Sequence, residues 1–242
     1  MTTTEPTDHA PAARDDTGSS AAGAFGQYCP ISRALEVLGT RWSLLIVRDM
    51  ICGTTRFNDL ARGLPGLSRT LLAQRLRQLE RAGIIDHVRA EYVLTTAGRD
   101  LEPLVFALGA WGARWAFEDP RPDELDPELL VWWMHGRVDT TRFPGLRHVL
   151  RVEFTDDRRV YWIVIERGSA SVCPSDPGYA VNLTIRASVS DLYRVWLGRL
   201  GMMAAVRQGL VSLTGERAWT RSAHEILQLS PAAPPVMAAN EP

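Results

Sequence analysis

Residues 68–82 constrain this chain more than any other stretch of it. Leu72, Leu76 and Leu79 stand at i, i+4 and i+7, one face of a helix with 3.6 residues per turn. Ser68 can accept an N–H of the first turn and Gly83 can take the left-handed conformation just past the end. The spacing therefore predicts a helix that starts after Ser68 and closes at about Ala82. Arg69, Thr70, Gln74, Arg75, Arg77, Gln78 and Arg81 occupy most of the remaining surface.

The neighbours of this helix narrow the fold. Residues 55–61 form a short helical pattern ended by Gly63, and Leu64-Pro65-Gly66 reads as a turn. Residues 84–88 and 92–94 flank the polar Arg89-Ala90-Glu91 and predict a short hairpin. Upstream, Ile31, Leu35, Leu38, Leu45 and Val47 are broken by Gly39-Thr40, which leaves two helices or one bent helix. Downstream, a helix over about 96–117 would carry Leu101, Leu104, Leu108, Trp111 and Trp115. Two helices, a turn, a polar-faced helix and a hairpin are the order of a mostly α winged helix-turn-helix.

A helix apolar behind and rich in Arg, Gln, Ser and Thr in front suits the DNA major groove, whose base edges those side chains read best. Residues near the N-terminal end of such a helix reach the bases, so Ser68, Arg69, Thr70, Gln74 and Arg77 are the candidate base contacts. Arg75 and Arg81 are candidates for phosphates, with Arg56 before the short helix and Arg89 at the hairpin tip. From Arg56 to Arg81 six arginines face only Asp59 and Glu80, a local field that favours a polyanion. The alternative is a solvated helix that contacts nothing.

Charge and composition set the domain limits. The formal net charge is −1, yet residues 25–117 sum to +4, residues 1–24 to −3, and 118–230 and 231–242 to −1 each. All 27 basic residues are Arg. Residues 1–24 and 230–242, rich in small residues and Pro, predict disordered tails. The first of these lacks the apolar core of a signal peptide, and no run of apolar residues is long enough to span a membrane, so the expected location is the cytoplasm with no membrane partner. The proline-containing charged stretch 118–123 reads as a linker between a DNA-binding unit, 25–117, and a second unit, 124–229.

The second unit reads α+β. A helical pattern covers 126–138, strand-like runs cover 146–154, 160–165, 169–173 and 179–185, and Ser190 is placed to cap a helix holding Leu192, Val195 and Trp196. A short apolar run at 209–213 ends at Thr214-Gly215, before a last helix with Trp219, Ile226 and Leu227. Trp132, Trp133, Trp162, Trp196 and Trp219 can wall a pocket for an apolar molecule, or can simply fill the core. His9, His87, His135, His148 and His224 show no metal spacing or nucleophile partner, and no phosphate-binding glycine loop occurs. The chain is not read as an enzyme and implies no metal or cofactor. Cys29, Cys52 and Cys173 are too few and too far apart for a disulfide framework.

Cys29-Pro30, Ala34-Leu35, Leu38-Gly39-Thr40-Arg41-Trp42, Leu44–Asp49, Arg56–Leu60, Leu67-Ser68, Leu71–Leu76, Leu79-Glu80, Ala82-Gly83 and Tyr92–Thr95 together resemble the HxlR family of bacterial transcriptional regulators, over about 28–115. The resemblance implies a homodimer paired through its first and last helices and DNA binding by the helix that begins at Ser68. Two-fold symmetry then implies an inverted-repeat site in double-stranded DNA. The joining segment at Arg89 is shorter and less basic than is usual in that family. Asn182–Ile185, Ser190–Gly198 and Leu210–Gly215 resemble the sterol-carrier-protein-type-2-like fold over 124–229, which implies an apolar cavity and a hydrophobic small-molecule effector. The combined expectation is a sequence-specific regulator, a repressor rather than an activator, controlled by that effector. Two other readings stand beside it. One is a redox-sensing regulator acting through Cys29, which occupies a position where many of the family carry a cysteine. The other is a hydrophobic-ligand carrier or scaffold that no longer reads DNA.

Overall fold

The structure, a computed structural model, describes residues 25–142 and 147–239. The expected tail over 1–24 and the expected strand start at Leu146 lie outside the described residues. The chain divides into two units, Met1–Thr40 and Arg41–Pro242. In the first, α1 (Pro30–Leu38) begins on a proline whose missing N–H would have no helical partner there, and it leaves Ile31 and Leu35 exposed.

The second unit opens with α2 (Ser43–Ile51), α3 (Phe57–Gly63), α4 (Arg69–Arg81), strands β1 (Ile85–Val88) and β2 (Glu91–Leu94), α5 (Thr96–Arg99) and α6 (Glu102–Trp115). Ile46, Val47, Leu60, Leu64, Leu72, Leu76, Leu79 and Ile85 are buried together as its core. The break at Gly39-Thr40 separates two helices rather than bending one. The single helix expected over 96–117 is instead α5 and α6. Pro103, in the first turn of α6, has no N–H to donate to the carbonyl of Arg99, so the helix stops and restarts.

After a 3-10 turn at Pro122–Glu124 come α7 (Pro127–His135), β3 (His148–Phe154), β4 (Val160–Glu166), β5 (Ser169–Cys173), β6 (Leu183–Ala187), α8 (Val189–Trp196), α9 (Met202–Arg207), β7 (Val211–Gly215), α10 (Arg217–Ile226) and α11 (Ala233–Ala239). The five strands form one sheet in the order β5-β4-β3-β6-β7. β3 and β6 run parallel, and the other pairs run antiparallel. Alternation along the strands sends Leu150, Val152, Phe154, Tyr161, Ile163 and Ile165 into one core with Leu130, Trp196, Trp219 and Ile226. Val149, Trp162 and Val164 point the other way and form a small cluster of their own. The α+β expectation is met, and the helices cover one face of the sheet.

Three local expectations are corrected. Ser188, not Ser190, caps α8: its hydroxyl accepts the N–H of Asp191, while Ser190 is the second residue of the helix. The short helix α9 was not anticipated. Residues 230–242 were expected to lack structure, yet α11 forms there with Ala233 and Val236 buried. Its prolines, Pro234 and Pro235, lie in the first turn, where helical N–H groups have no partner to lose.

The stretch 118–123 is tied down. Arg199 donates to the carboxylate of Asp119 at 2.9 Å and to the carbonyls of Phe117 at 2.7 Å and Glu118 at 3.1 Å. Its guanidinium also lies over the Phe117 ring, 4.6 Å from the centroid. α11 packs against α6 and α7 packs against α3, so the α+β part rests on the helical part through several elements.

Candidate nucleic-acid interface

α4 is built as its sequence requires. Ser68 is extended, with φ −65° and ψ 147°, and its hydroxyl accepts the N–H of Leu71 at 3.3 Å. Gly83, with φ +71°, follows the last turn, where a side chain would be strained. Leu72, Leu76 and Leu79 are each at most 1% exposed, which forces the opposite face of the helix outward.

The donors on that outer face divide into held and open groups. Arg69 donates to Asn58 Oδ1 at 2.6 Å and lies over the ring of Phe57, so α3 sets its position. Arg75 is half-buried and donates to the Arg41 carbonyl at 3.2 Å and to Gln78 at 2.6 Å. Arg81 turns back onto the Arg77 carbonyl. The exposed side chains of Thr70, Gln74 and Arg77 make no bond with the described residues. They stand at i, i+4 and i+7, directly opposite the leucine stripe in periodicity, and form a single open face of neutral and cationic donors.

The hairpin is closed by two residues, Arg89 and Ala90, at φ +50° and +69°. These are values of a tight two-residue turn matched to strand twist, and they put Arg89 at the exposed tip. Arg56 pairs with Glu91, the first residue after the hairpin turn, at 3.2 Å, so its charge is partly neutralised within the fold.

The five tryptophans do not converge on a pocket. Trp196 and Trp219 are 5% and 3% exposed in the main core, and Trp162 lies on the other side of the sheet. Arg62 of α3 lies over Trp132, 4.6 Å from its centroid, while Trp133 packs against the α+β core and also has Arg48 of α2 over its ring, at 5.8 Å. The physical reason is the choice between cavity and core. Large rings lower the free energy by packing against apolar neighbours and against cations. Gly63 permits this approach, since a Cβ there would stand 2.8 Å from Asp49 Oδ2 and 3.7 Å from Trp132 Nε1. Burial pushes the Asp49 carboxyl above the usual range, against the pull of Arg48 at 2.7 Å. Burial also lowers the pKa of His135, which packs beside Trp132. Arg48, Arg62 and Arg199 carry this docking, and sequence reasoning missed all three. In a chain whose 27 basic residues are all Arg, nothing marked them out.

Cys29 precedes α1, and the first-turn N–H groups of Ser32 and Ile31 hold its thiol below the ordinary range. Burial pushes Cys52 up instead. Among the described residues no helix is long and apolar enough to cross a membrane, and no cluster of His, Cys, Asp and Glu could hold a metal ion.

Residues 37–120, which run from the end of α1 to just beyond α6, match the model of the HxlR-like helix-turn-helix family. An HTH-type transcriptional regulator of Mycobacterium bovis is 44% identical over 100 residues, which are 38% of this chain and 61% of that relative. The chain thus spans about three-fifths of that relative's length. YvaP of Bacillus subtilis, also named an HTH-type transcriptional regulator, is 34% identical over 112 residues, which are 43% of this chain and 95% of YvaP. The chain belongs to the HxlR-like helix-turn-helix family. The solved structure of quinone-bound YodB from B. subtilis is 32% identical, covering 36% of this chain and 99% of that one, with a TM-score of 0.34. The family match accounts for α2 to α6 and ends before α7, so the α+β part is an addition to the HxlR-like core.

The cap of α4 can be tested without DNA. Ser68→Ala should lower unfolding free energy by about 1 kcal/mol and Ser68→Gly by only a few tenths, measured by denaturant titration. Equal losses in the two variants would show that the Ser68 hydroxyl contributes nothing as a cap.

Proposed function

We propose that this protein is a homodimeric, sequence-specific DNA-binding transcriptional regulator, a repressor in its default action, whose α+β part takes a hydrophobic small-molecule effector. The observation that carries the DNA reading is the open face of Thr70, Gln74 and Arg77 on a capped helix whose rear is wholly buried. Ser68 and Arg69 stand beside it at the N-terminal end of α4, the end that enters the groove. Arg81 and the hairpin tip at Arg89 are assigned to phosphates, with Arg56 a weaker contact because Glu91 holds it.

Pairing of two copies is supported by apolar side chains that a lone chain leaves in water. α6 has no buried residue and exposes Leu104, Leu108, Trp111 and Trp115, each at least half exposed, along one face. α1 exposes Ile31 and Leu35. Covering such stripes is the usual reason for them. A two-fold dimer would read an inverted repeat with half-sites about one helical turn, ~34–36 Å, apart.

The sterol-carrier-like assignment rests on the helix-covered mixed sheet and the order of its elements. A ligand held there would have to part Trp196 and Trp219 from their packing, and its effect would pass to the helical part through α7 on α3 and α11 on α6. A second reading, redox control through Cys29, is favoured by one observation, the lowered thiol at the start of α1.

Four outcomes are expected. Selection of genomic fragments by the full chain at about 150 mM salt should recover a discrete inverted repeat. On that site Arg77→Ala should cost roughly 1–3 kcal/mol and relax the preference at one base pair; retention that is blind to sequence would favour the carrier reading. Long-chain fatty acids and sterols, titrated to saturation, should include one that shifts operator affinity by about 5–150-fold, and uniformly unchanged binding would remove the effector from the proposal. Under the redox reading, mild oxidant releases the operator and Cys29→Ser abolishes that release; an unchanged response in Cys29→Ser excludes it.

A further inference from the structure

Arg41 precedes α2 and has no role in the sites assigned so far. Its side chain is exposed, and its guanidinium lies over the ring of its neighbour Trp42, 5.2 Å from the centroid. Among the described residues no carboxylate pairs with it. Its carbonyl accepts the Arg75 Nε–H at 3.2 Å, which ties this point of the backbone to the middle of α4.

The backbone at Trp42 is strained. It stands at φ +83° and ψ −21°, a left-handed conformation that strains a bulky residue. Such strain persists only where the surroundings over-determine it, and it concentrates at functional positions. Here it lays the indole along the flank of α4. At one end Arg75 holds the Arg41 carbonyl. At the other, a Cβ on Gly66, in the turn before α4, would stand 3.8 Å from Trp42 Cη2. Packing explains the ring, which lies partly buried against the core of the helical part. It does not explain why an uncompensated cation rides on that ring beside the middle of α4.

We propose that Arg41 is a further DNA contact, gripping a backbone phosphate on the flank of the base-reading half of α4. Arg75 is its positioning residue rather than a phosphate ligand in its own right. Stacking on an indole leaves the N–H edges of a guanidinium free to fork onto two phosphate oxygens and costs it little further ordering. Arg75 is half-buried, and two of its three guanidinium nitrogens are already engaged, Nε by the Arg41 carbonyl and Nη1 by Gln78. The assignment of Arg75 to a phosphate, made from its place on the helix, is thereby replaced. This inference rests on the reading of α4 as the DNA-binding helix.

The test is a fluorescence titration of the full chain on a mixed-sequence duplex long enough for two half-sites, repeated over a range of salt concentrations. Arg41→Ala should weaken binding without regard to sequence and lower the slope of log K against log salt by about one per protomer. Arg41→Gln, which keeps the stem over the indole, should show the same lower slope, and Arg41→Lys should restore it. Arg75→Ala should also weaken binding, but added to Arg41→Ala it should have no further effect, because it acts through the same contact. A wild-type slope in Arg41→Ala and Arg41→Gln would overturn the proposal. Additive losses in the double variant would overturn the positioning role and return Arg75 to a phosphate of its own. Failure of the unaltered chain to bind any duplex would remove the reading of α4 itself, and this inference with it.

Discussion

Burial of Leu72, Leu76 and Leu79 under α4 is the constraint on which the rest of the helical part depends. Three leucines with almost no exposed surface fix the rotation of the helix about its axis, since turning it would bring them into water at about 1.5–3 kcal/mol each. Once rotation is fixed, so is the outward face, and with it the identity of the side chains available to a partner. Ser68 fixes the start of the same helix and Gly83 its end. The interface is therefore a consequence of packing and capping before it is a matter of recognition.

A second layer of organisation joins the α+β part to that frame. Trp132 and Trp133 on α7 are met by Arg62 and Arg48, and Arg199 clamps the chain just after α6. Each is a cation against a ring or a carbonyl, an interaction worth more when partly shielded from water than on an open surface. Asp49, pushed toward its neutral form by burial, shows how closely these elements approach. Gly63 is the residue that permits it, because any side chain there would displace the carboxylate.

Much of the fold was legible wherever its cause was local. The leucine stripe, the caps at Ser68 and Gly83, the hairpin around Arg89 and the alternating strands follow from periodicities that one segment carries by itself. The errors came where two local signals competed or where the deciding neighbour was distant. Ser188 and Ser190 are both competent caps, and the end of β6 at Ala187 gives the role to Ser188. The apolar spacing over 96–117 predicts one long helix, but Pro103 restarts it. The composition of 230–242 predicts a tail without structure, yet Pro234 and Pro235 lie in the one turn of α11 that tolerates them. The five tryptophans could wall a pocket or fill the core, and only the fold shows that the sheet separates Trp162 from Trp196 and Trp219 while Arg62 and Arg48 lie over Trp132 and Trp133.

The amino-acid sequence by itself determined the winged helix-turn-helix order, the helix that presents donors and the α+β character of the remainder. Each of these depends on side-chain spacing along a single element, and spacing is written in the chain. Only the tertiary structure decided which donors stay open and which are held. It left Thr70, Gln74 and Arg77 facing water, bound Arg69 to Asn58 and Arg75 to the Arg41 carbonyl, and laid Arg41 on the strained Trp42. Those outcomes turn on distances between residues far apart in the chain. Twenty-seven chemically identical guanidinium groups acquire different roles only through what the fold sets beside each of them.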